Sequence, residues 1–364
     1  MKILVAMSGG VDSTISAYLL KKQGHEVVGV HFNFVGSDDN VDDLEEVSKF
    51  LNIKTVYRDY RAEFSEKIIK YFVDEYENGR TPNPCALCNA TMKFEKLLEV
   101  MKEESCDMIA TGHYAKVTQI GDRFCIQKSS NAQKDQSYML YRLSQEQLSH
   151  IIFPLGDMDK KDVRSIASEI GLSVANKKDS QDVCFINDID YQEYIKRYEF
   201  GADYKEKIAL GILKEEEMLS KPYLKKGEFV DLSGRVLGYH SGIVNYTIGQ
   251  RKGLNIALGD RRFVVNIDVE KNQVVLGSND DLMATDFKIK NVVYSGHNED
   301  VIGKSFYAKL RYRHDGTLCE IVSKDEDGKV LQCHLKDKVR AITKGQSAVF
   351  YDENDLVMFG GIID

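Results

Sequence analysis

Three cysteines and one glycine turn hold the chemistry available to this 364-residue sequence. Cys85 and Cys88 form a Cys-x-x-Cys pair within Thr81-Pro82-Asn83-Pro84-Cys85-Ala86-Leu87-Cys88-Asn89, a segment stiffened by two of the only 4 prolines. Rigid loops position reactive groups. Cys88 stands just before an expected helix, whose dipole would lower the thiol pKa and favour the nucleophilic thiolate. Cys184 lies in a polar stretch beside Lys177 and Lys178, which would act in the same sense; on its own it also fits a small buried hydrophobe. A zinc knuckle is the alternative for the Cys-x-x-Cys pair, but no second such pair and no His pair at ligand spacing accompanies it. Cys106, Cys125, Cys319 and Cys333 fall inside or beside apolar stretches and read as packing residues. With 7 cysteines scattered over a chain this long, a disulfide scaffold is excluded.

The glycine turn is Ser8-Gly9-Gly10-Val11-Asp12-Ser13, directly after the apolar run Ile3-Leu4-Val5-Ala6-Met7. Two adjacent glycines permit turn conformations closed to other residues, and the free N–H groups of the following helix point at negative oxygens. Asp12 and Ser13 are expected to cap that helix. There is no Gly-Lys-Ser/Thr for a transferring γ-phosphate and no G-x-G-x-x-G for a dinucleotide, so the turn reads as a pyrophosphate cradle.

Alternating strands and helices must position these groups. Helices are expected over 13–23, 41–51, 62–77, 92–104 and 160–170, and strands over 26–34, 54–57 and 107–111, with a proline-punctuated loop over 80–89. Continuous apolar strands such as 26–34 belong to a parallel sheet covered on both faces. This is a doubly wound α/β pattern, which binds ligands at the carboxyl ends of its strands. Beyond about residue 205 the texture changes to glycine-punctuated β segments over 263–269, 273–276, 305–312, 317–322 and 330–335, which read as sheet or barrel. Boundaries are expected near 200 and 284, giving units 1–200, 201–283 and 284–364.

With 43% hydrophobic residues and no run approaching a membrane span or a secretory signal, the expectation is a soluble cytoplasmic protein without membrane attachment. A net charge of -8 argues against coating nucleic acid non-specifically, though not against a specific complex. The basic clusters Lys177-Lys178, Lys225-Lys226, Arg251-Lys252, Arg261-Arg262 and Lys309/Arg311/Arg313 are singly wet surface and together an RNA-facing stripe.

The segments 6–13, 81–89, Ala110-Thr111-Gly112-His113-Tyr114-Ala115, Asp135-Gln136-Ser137-Tyr138, 177–185 and Tyr246-Thr247-Ile248-Gly249-Gln250-Arg251-Lys252-Gly253-Leu254 occur in this order across nearly the whole chain. In this they resemble the bacterial tRNA-specific 2-thiouridylase family. The glycine turn alone is shared by the wider ATP-pyrophosphatases, whose small-molecule adenylating ligases and amidating enzymes are the rival reading and need neither Cys88 nor Cys184. The resemblance implies an ATP-pyrophosphatase domain followed by two smaller, mainly β domains, the last barrel-like. It implies ATP-dependent 2-thiolation of the wobble uridine of tRNA: ATP adenylates the C2 oxygen, and sulfur arrives from a persulfide on Cys184 loaded by a cysteine desulfurase or a sulfur-relay protein. Cys88 is then the second thiol, closing a Cys88–Cys184 disulfide that a reductant reopens. Mg²⁺ would offset phosphate charge, with Asp12 nearby.

By the same resemblance the nucleotide contacts Ala6, Met7, Ser8, Gly9, Gly10, Val11, Asp12, Ser13, the Phe32 backbone and Gly112. The target base lies against Asn83, Pro84 and Cys85, and tRNA contacts fall at His113, Lys134, Asp135, Gln136, Arg311, Tyr312 and Gln346. Arg311 and Tyr312 alternate along an expected strand, so one of them would face the core. Cys85 departs from the family, where many relatives carry aspartate. It is read as a local base, as an adjacent resolving thiol, or as the third ligand, with Cys88 and Cys184, of an iron–sulfur cluster. A second departure follows Phe34, where an acidic stretch stands in place of a longer, cysteine-containing insertion.

Overall fold

The computed structural model describes residues 1–36, 41–172, 183–186, 189–256, 260–295 and 300–364. Its first layer grows from short apolar strands: β1 (Lys2–Ala6), β2 (Glu26–Asn33), β3 (Lys54–Asp59) and β4 (Met108–Ala110). After a hairpin of β5 (Ala115–Ile120) and β6 (Arg123–Lys128), β7 (Ile151–Ile152) completes a parallel sheet in the order β3-β2-β1-β4-β7. Ile3, Leu4 and Val5 are wholly buried, as a strand covered by helices on both faces requires. The doubly wound expectation holds.

Strand order fixes where a ligand sits. The chain leaves β1 toward β2 and β3 on one side and later returns to build β4 and β7 on the other, so the crevice beyond the carboxyl ends of β1 and β4 is the switch point.

The next sheet, in the order β10-β11-β8-β9, is formed by β8 (Gly227–Asp231), β9 (Val236–His240), β10 (Phe263–Asp268) and β11 (Gln273–Gly277). Short helices Tyr204–Ala209 and Glu215–Leu219 precede it, so the segment after residue 200 opens helically before turning to β structure. Finally β12 (Met283–Tyr294), β13 (Ser305–Lys309), β14 (Thr317–Lys324), β15 (Leu331–Arg340), β16 (Ser347–Tyr351) and β17 (Val357–Ile363) close an antiparallel barrel. Closure removes the sheet edges on which other chains could pair. Cys319 and Cys333 lie inside its core, Cys125 from β6 joins that same core, and Cys106 is buried against the first sheet, as packing residues should be. Among the described residues no helix is long and apolar enough to cross a membrane.

Candidate active site

At the switch point the chain turns from β1 into the helix Val11–Lys22. Gly9 takes a φ of 72°, a left-handed conformation that suits glycine. Gly10, not Asp12 or Ser13, is the N-cap, and no side chain caps the helix. The expected Asp12/Ser13 cap fails because both residues already lie in the first helical turn. Ser13 instead ties the turn together: its Oγ donates to the Gly10 carbonyl at 3.0 Å, accepts from the Ser8 N–H at 3.2 Å and lies 3.2 Å from Ser8 Oγ. The opening N–H groups are left for an anion.

Gly112 follows β4 and faces this turn. A Cβ there would stand 2.8 Å from the Asp12 carbonyl carbon and 2.9 Å from the Ser13 nitrogen, so only glycine lets the two backbones approach. On the β2 side, Met7 N–H donates to the Val30 carbonyl at 2.7 Å and its own carbonyl lies 2.9 Å from His31 Nδ1. Phe32, near the end of β2, packs against Tyr60 at 5.4 Å and Phe34 at 5.6 Å.

Asp12 is already engaged. Both carboxylate oxygens accept from Lys160 Nζ at 2.7 Å, and one accepts from the Tyr114 hydroxyl at 2.8 Å. The carboxylate is therefore not a free magnesium ligand in this arrangement. Lys160 escaped the sequence reading because it opens an ordinary amphipathic helix, Lys160–Glu169, with nothing in its spacing to mark the partner.

The cysteine segment differs from expectation. Asn83 is an N-cap whose Oδ1 accepts from Ala86 N–H at 3.4 Å, and Pro84 occupies the first turn, so a helix begins at Pro84–Cys88. It runs on through a π-turn, Asn89–Lys93, into Phe94–Glu103. Cys88 is thus inside a continuous helical path, remote from the open N–H groups that would have lowered its pKa. Burial instead pushes the Cys88 thiol up to about 12 and the Cys184 thiol up to about 11, and raises Cys85 as well. Cys184 still presents surface to solvent, so it is reachable in surroundings poor in water. Lys177 and Lys178 lie outside the described residues.

The three thiols sense one another: a charge on Cys184 or Cys85 raises Cys88, and one on Cys85 raises Cys184. Cys88 and Val183 pack against the same core, which contains Phe185. One cation faces the whole group. Lys93 lowers all three thiols, opposing the burial, and also bears on His113. Its i→i+5 turn brings the fifth residue after Cys88 round toward the same side, where an unbroken α-helix would turn it away. A lysine five residues after a cysteine carries no signal unless the π-turn is anticipated. Among the described residues, no three Cys, His, Asp or Glu side chains are grouped to hold a metal ion.

The last barrel braces this segment. Asn83 Nδ2 donates to Ser347 Oγ at 3.1 Å, and Gln346 Nε2 donates to the carbonyls of Thr81 at 3.0 Å and Pro82 at 3.1 Å. The Thr81 N–H bonds the Lys344 carbonyl at 2.9 Å. Gln346 thus has a positioning part in addition to the RNA contact expected of it.

The remaining expected contacts divide. Asp135 is buried, its carboxylate accepting from Ser129 N–H at 3.0 Å and Ser137 Oγ at 2.7 Å, which turns it away from any RNA. Gln136 accepts from Tyr114 N–H at 2.9 Å, and Lys134 sits half-buried before them. Arg311 and Tyr312 lie in the turn after β13 and not on a strand, so both are exposed and neither is forced into the core. His113 lies 2.7 Å by Nδ1 from Thr111 Oγ1, and burial holds its pKa well below the usual histidine value, so the ring is neutral.

Three family descriptions match in succession: the tRNA methyl transferase HUP domain over residues 1–188, the tRNA methyl transferase PRC-barrel domain over 218–278 and the aminomethyltransferase beta-barrel domain over 284–363. A tRNA-specific 2-thiouridylase MnmA of Lachnoclostridium phytofermentans is 42% identical, covering 100% of this chain and 99% of its own. Proteins of the same name from Clostridium kluyveri (99% of its chain) and Clostridioides difficile (98%) are 41% and 40% identical, each covering 100% of this chain.

Proposed function

The chain belongs to the tRNA-specific 2-thiouridylase family, and from that premise we propose how its own residues carry out the reaction. It is a tRNA-uridine 2-sulfurtransferase that uses ATP. Residues 1–200 perform the chemistry, and 201–283 and 284–364 hold the RNA and brace the cysteine helix. ATP enters with Mg²⁺ as part of the substrate, since Asp12 is occupied by Lys160 and Tyr114. The 8–13 turn and the adjoining helix N-terminus receive the pyrophosphate.

The C2 oxygen of the wobble uridine attacks the α-phosphorus, pyrophosphate leaves, and a poor leaving group becomes AMP. The terminal sulfur of a Cys184 persulfide, delivered by a cysteine desulfurase or relay protein, adds to C2, and the C–O bond to AMP breaks. The Cys88 thiolate then attacks the Cys184 sulfur. That S–S bond breaks, its electrons stay with the departing thiocarbonyl sulfur, and a Cys88–Cys184 disulfide forms for an external reductant to reopen. Asn83, Pro84 and Cys85 flank the base.

The observation carrying this reading is the effect of Cys184 on the Cys88 thiol, together with Lys93, which bears on both thiols and on His113 next to Gly112. It links thiols and phosphate turn at one end of the sheet. A small-molecule ligase would need neither thiol. The persulfide route needs no iron–sulfur cluster. The test is mass analysis of nucleosides from tRNA incubated with protein, ATP, Mg²⁺, a desulfurase and cysteine. The expected result is a sulfur-for-oxygen mass change in uridine, lost in both Cys88→Ser and Cys184→Ser. Unchanged turnover in both variants would remove the thiolation reading.

A further inference from the structure

The segment 247–252 has no part in the phosphate turn or among the thiols, yet it forms one wall of an open groove of about 770 Å³. Gln192, at the start of the helix Tyr191–Phe200, Phe263 from β10 and Arg340 from β15 also line the groove, so three parts of the fold meet there. The turn is held from within: Thr247 N–H donates to Gln250 Oε1 at 3.0 Å, and Gln250 Nε2 donates to the Lys252 carbonyl at 3.1 Å. It is also held from below, where Gly249 N–H bonds the Val264 carbonyl at 2.8 Å and Val264 N–H bonds the Gln250 carbonyl at 3.0 Å. Arg340 locks the barrel onto it, donating to the Gly249 carbonyl at 3.3 Å and to Asn279 Oδ1 at 3.0 Å while its guanidinium lies 5.1 Å over the Phe263 ring.

Arg340 is therefore spent on architecture. Arg251 and Lys252, in contrast, are exposed, and among the described residues neither side chain has a carboxylate or hydrogen-bond partner. Tyr191 also lines the groove, but its ring stacks on Tyr76 at 4.3 Å and its hydroxyl is buried, so the two cations carry the polar character of this wall. Two adjacent cations on a rigid turn match the oxygens of a phosphodiester strand. On a chain of net charge -8, what sets this pair apart from a basic pair on open surface is its place on a braced turn that walls a groove.

We propose that the 247–252 turn is a phosphate-backbone clamp for tRNA, built on Arg251 and Lys252 and separate from the thiol site. It rests on the tRNA reading above. Cys88, Tyr191 and Ile248 pack against one hydrophobic core, so RNA gripped at the turn is held in fixed relation to the thiol.

The test compares full-length protein with the Arg251→Gln/Lys252→Gln double variant, binding an unmodified tRNA that carries a wobble uridine over a range of KCl concentrations. Each lost phosphate contact removes about 0.7–0.9 from the slope of log affinity against log salt, so the variant's slope should be shallower by roughly 1–2, with affinity at low salt down about tenfold. The distant Lys22→Gln variant should keep the wild-type slope. Wild type that binds while the double variant binds identically, slope included, overturns the clamp alone. So does an equal loss in Lys22→Gln, or a double variant impaired only in accepting sulfur from a donor protein, which would make the turn a protein-docking site. Wild type that binds no tRNA overturns the underlying reading as well.

Discussion

The amide of Asn83 donates to the hydroxyl of Ser347 at 3.1 Å, a buried contact between the start of the cysteine helix and the barrel's fifth strand. The cysteine helix is thus capped from one side by its own sequence and braced from the other by a domain that carries neither Cys85, Cys88 nor Cys184. A net hydrogen bond is worth about 1 kcal/mol. In Ser347→Ala, the Asn83 amide loses a buried partner, and local opening of the first helical turn becomes easier. Hydrogen exchange of the amides within 85–89 should speed up about fivefold, with exchange in β1 and β2 unchanged. Equal exchange at 85–89 in both proteins would show that the barrel does not stabilise the helix.

Much of the fold is legible because periodicity and glycine placement are local. The apolar runs of β1 and β2 and the turn at Gly9 declare a parallel sheet with an anion site. What escaped is set by distant partners. Asp12 is a helix-start carboxylate until Lys160 reaches it from another helix, and Asp135 is expected to meet tRNA until Ser129 and Ser137 enclose it. The helix at Pro84 was hidden by the prolines themselves, which signal a loop unless Asn83 is recognised as a cap with proline in the first turn. The elevated thiols follow from burial, which no spacing reports.

Gly112→Ala tests the phosphate turn. The added methyl would meet the Asp12 and Ser13 backbone at 2.8 and 2.9 Å, so the turn must move. ATP binding, followed by calorimetry, should weaken at least about tenfold, corresponding to roughly 1.4 kcal/mol. Thiol alkylation should not change. Wild-type ATP affinity in this variant would separate Gly112 from the nucleotide site.

Anaerobic purification tests the persulfide route. If sulfur travels as a persulfide on Cys184, protein active in thiolation should carry iron and acid-labile sulfide far below one atom each per chain. Content near about four irons per chain, with activity rising in proportion, would instead assign Cys85, Cys88 and Cys184 to a cluster.

The thiols themselves give a pH prediction whose sign follows from burial. Thiolate, not thiol, reacts with iodoacetamide, and a Cys184 pKa of about 11 leaves on the order of one molecule in ten thousand ionised at pH 7. Raising pH restores the anion, so alkylation of Cys184, assigned by peptide mass, should climb about tenfold per pH unit from 7 to 10 without levelling off. Cys88, higher still at about 12, should lag behind it at every pH. Lys93 is the cation opposing this rise at both residues. In Lys93→Met the whole profile should shift to higher pH, slowing alkylation about 3–10-fold at any fixed pH, and Lys93→Arg should restore it. A plateau by pH 8 in the wild type would mean that the thiols ionise far more readily than their buried setting allows, and identical profiles in the wild type and Lys93→Met would remove the lysine from the site's electrostatics.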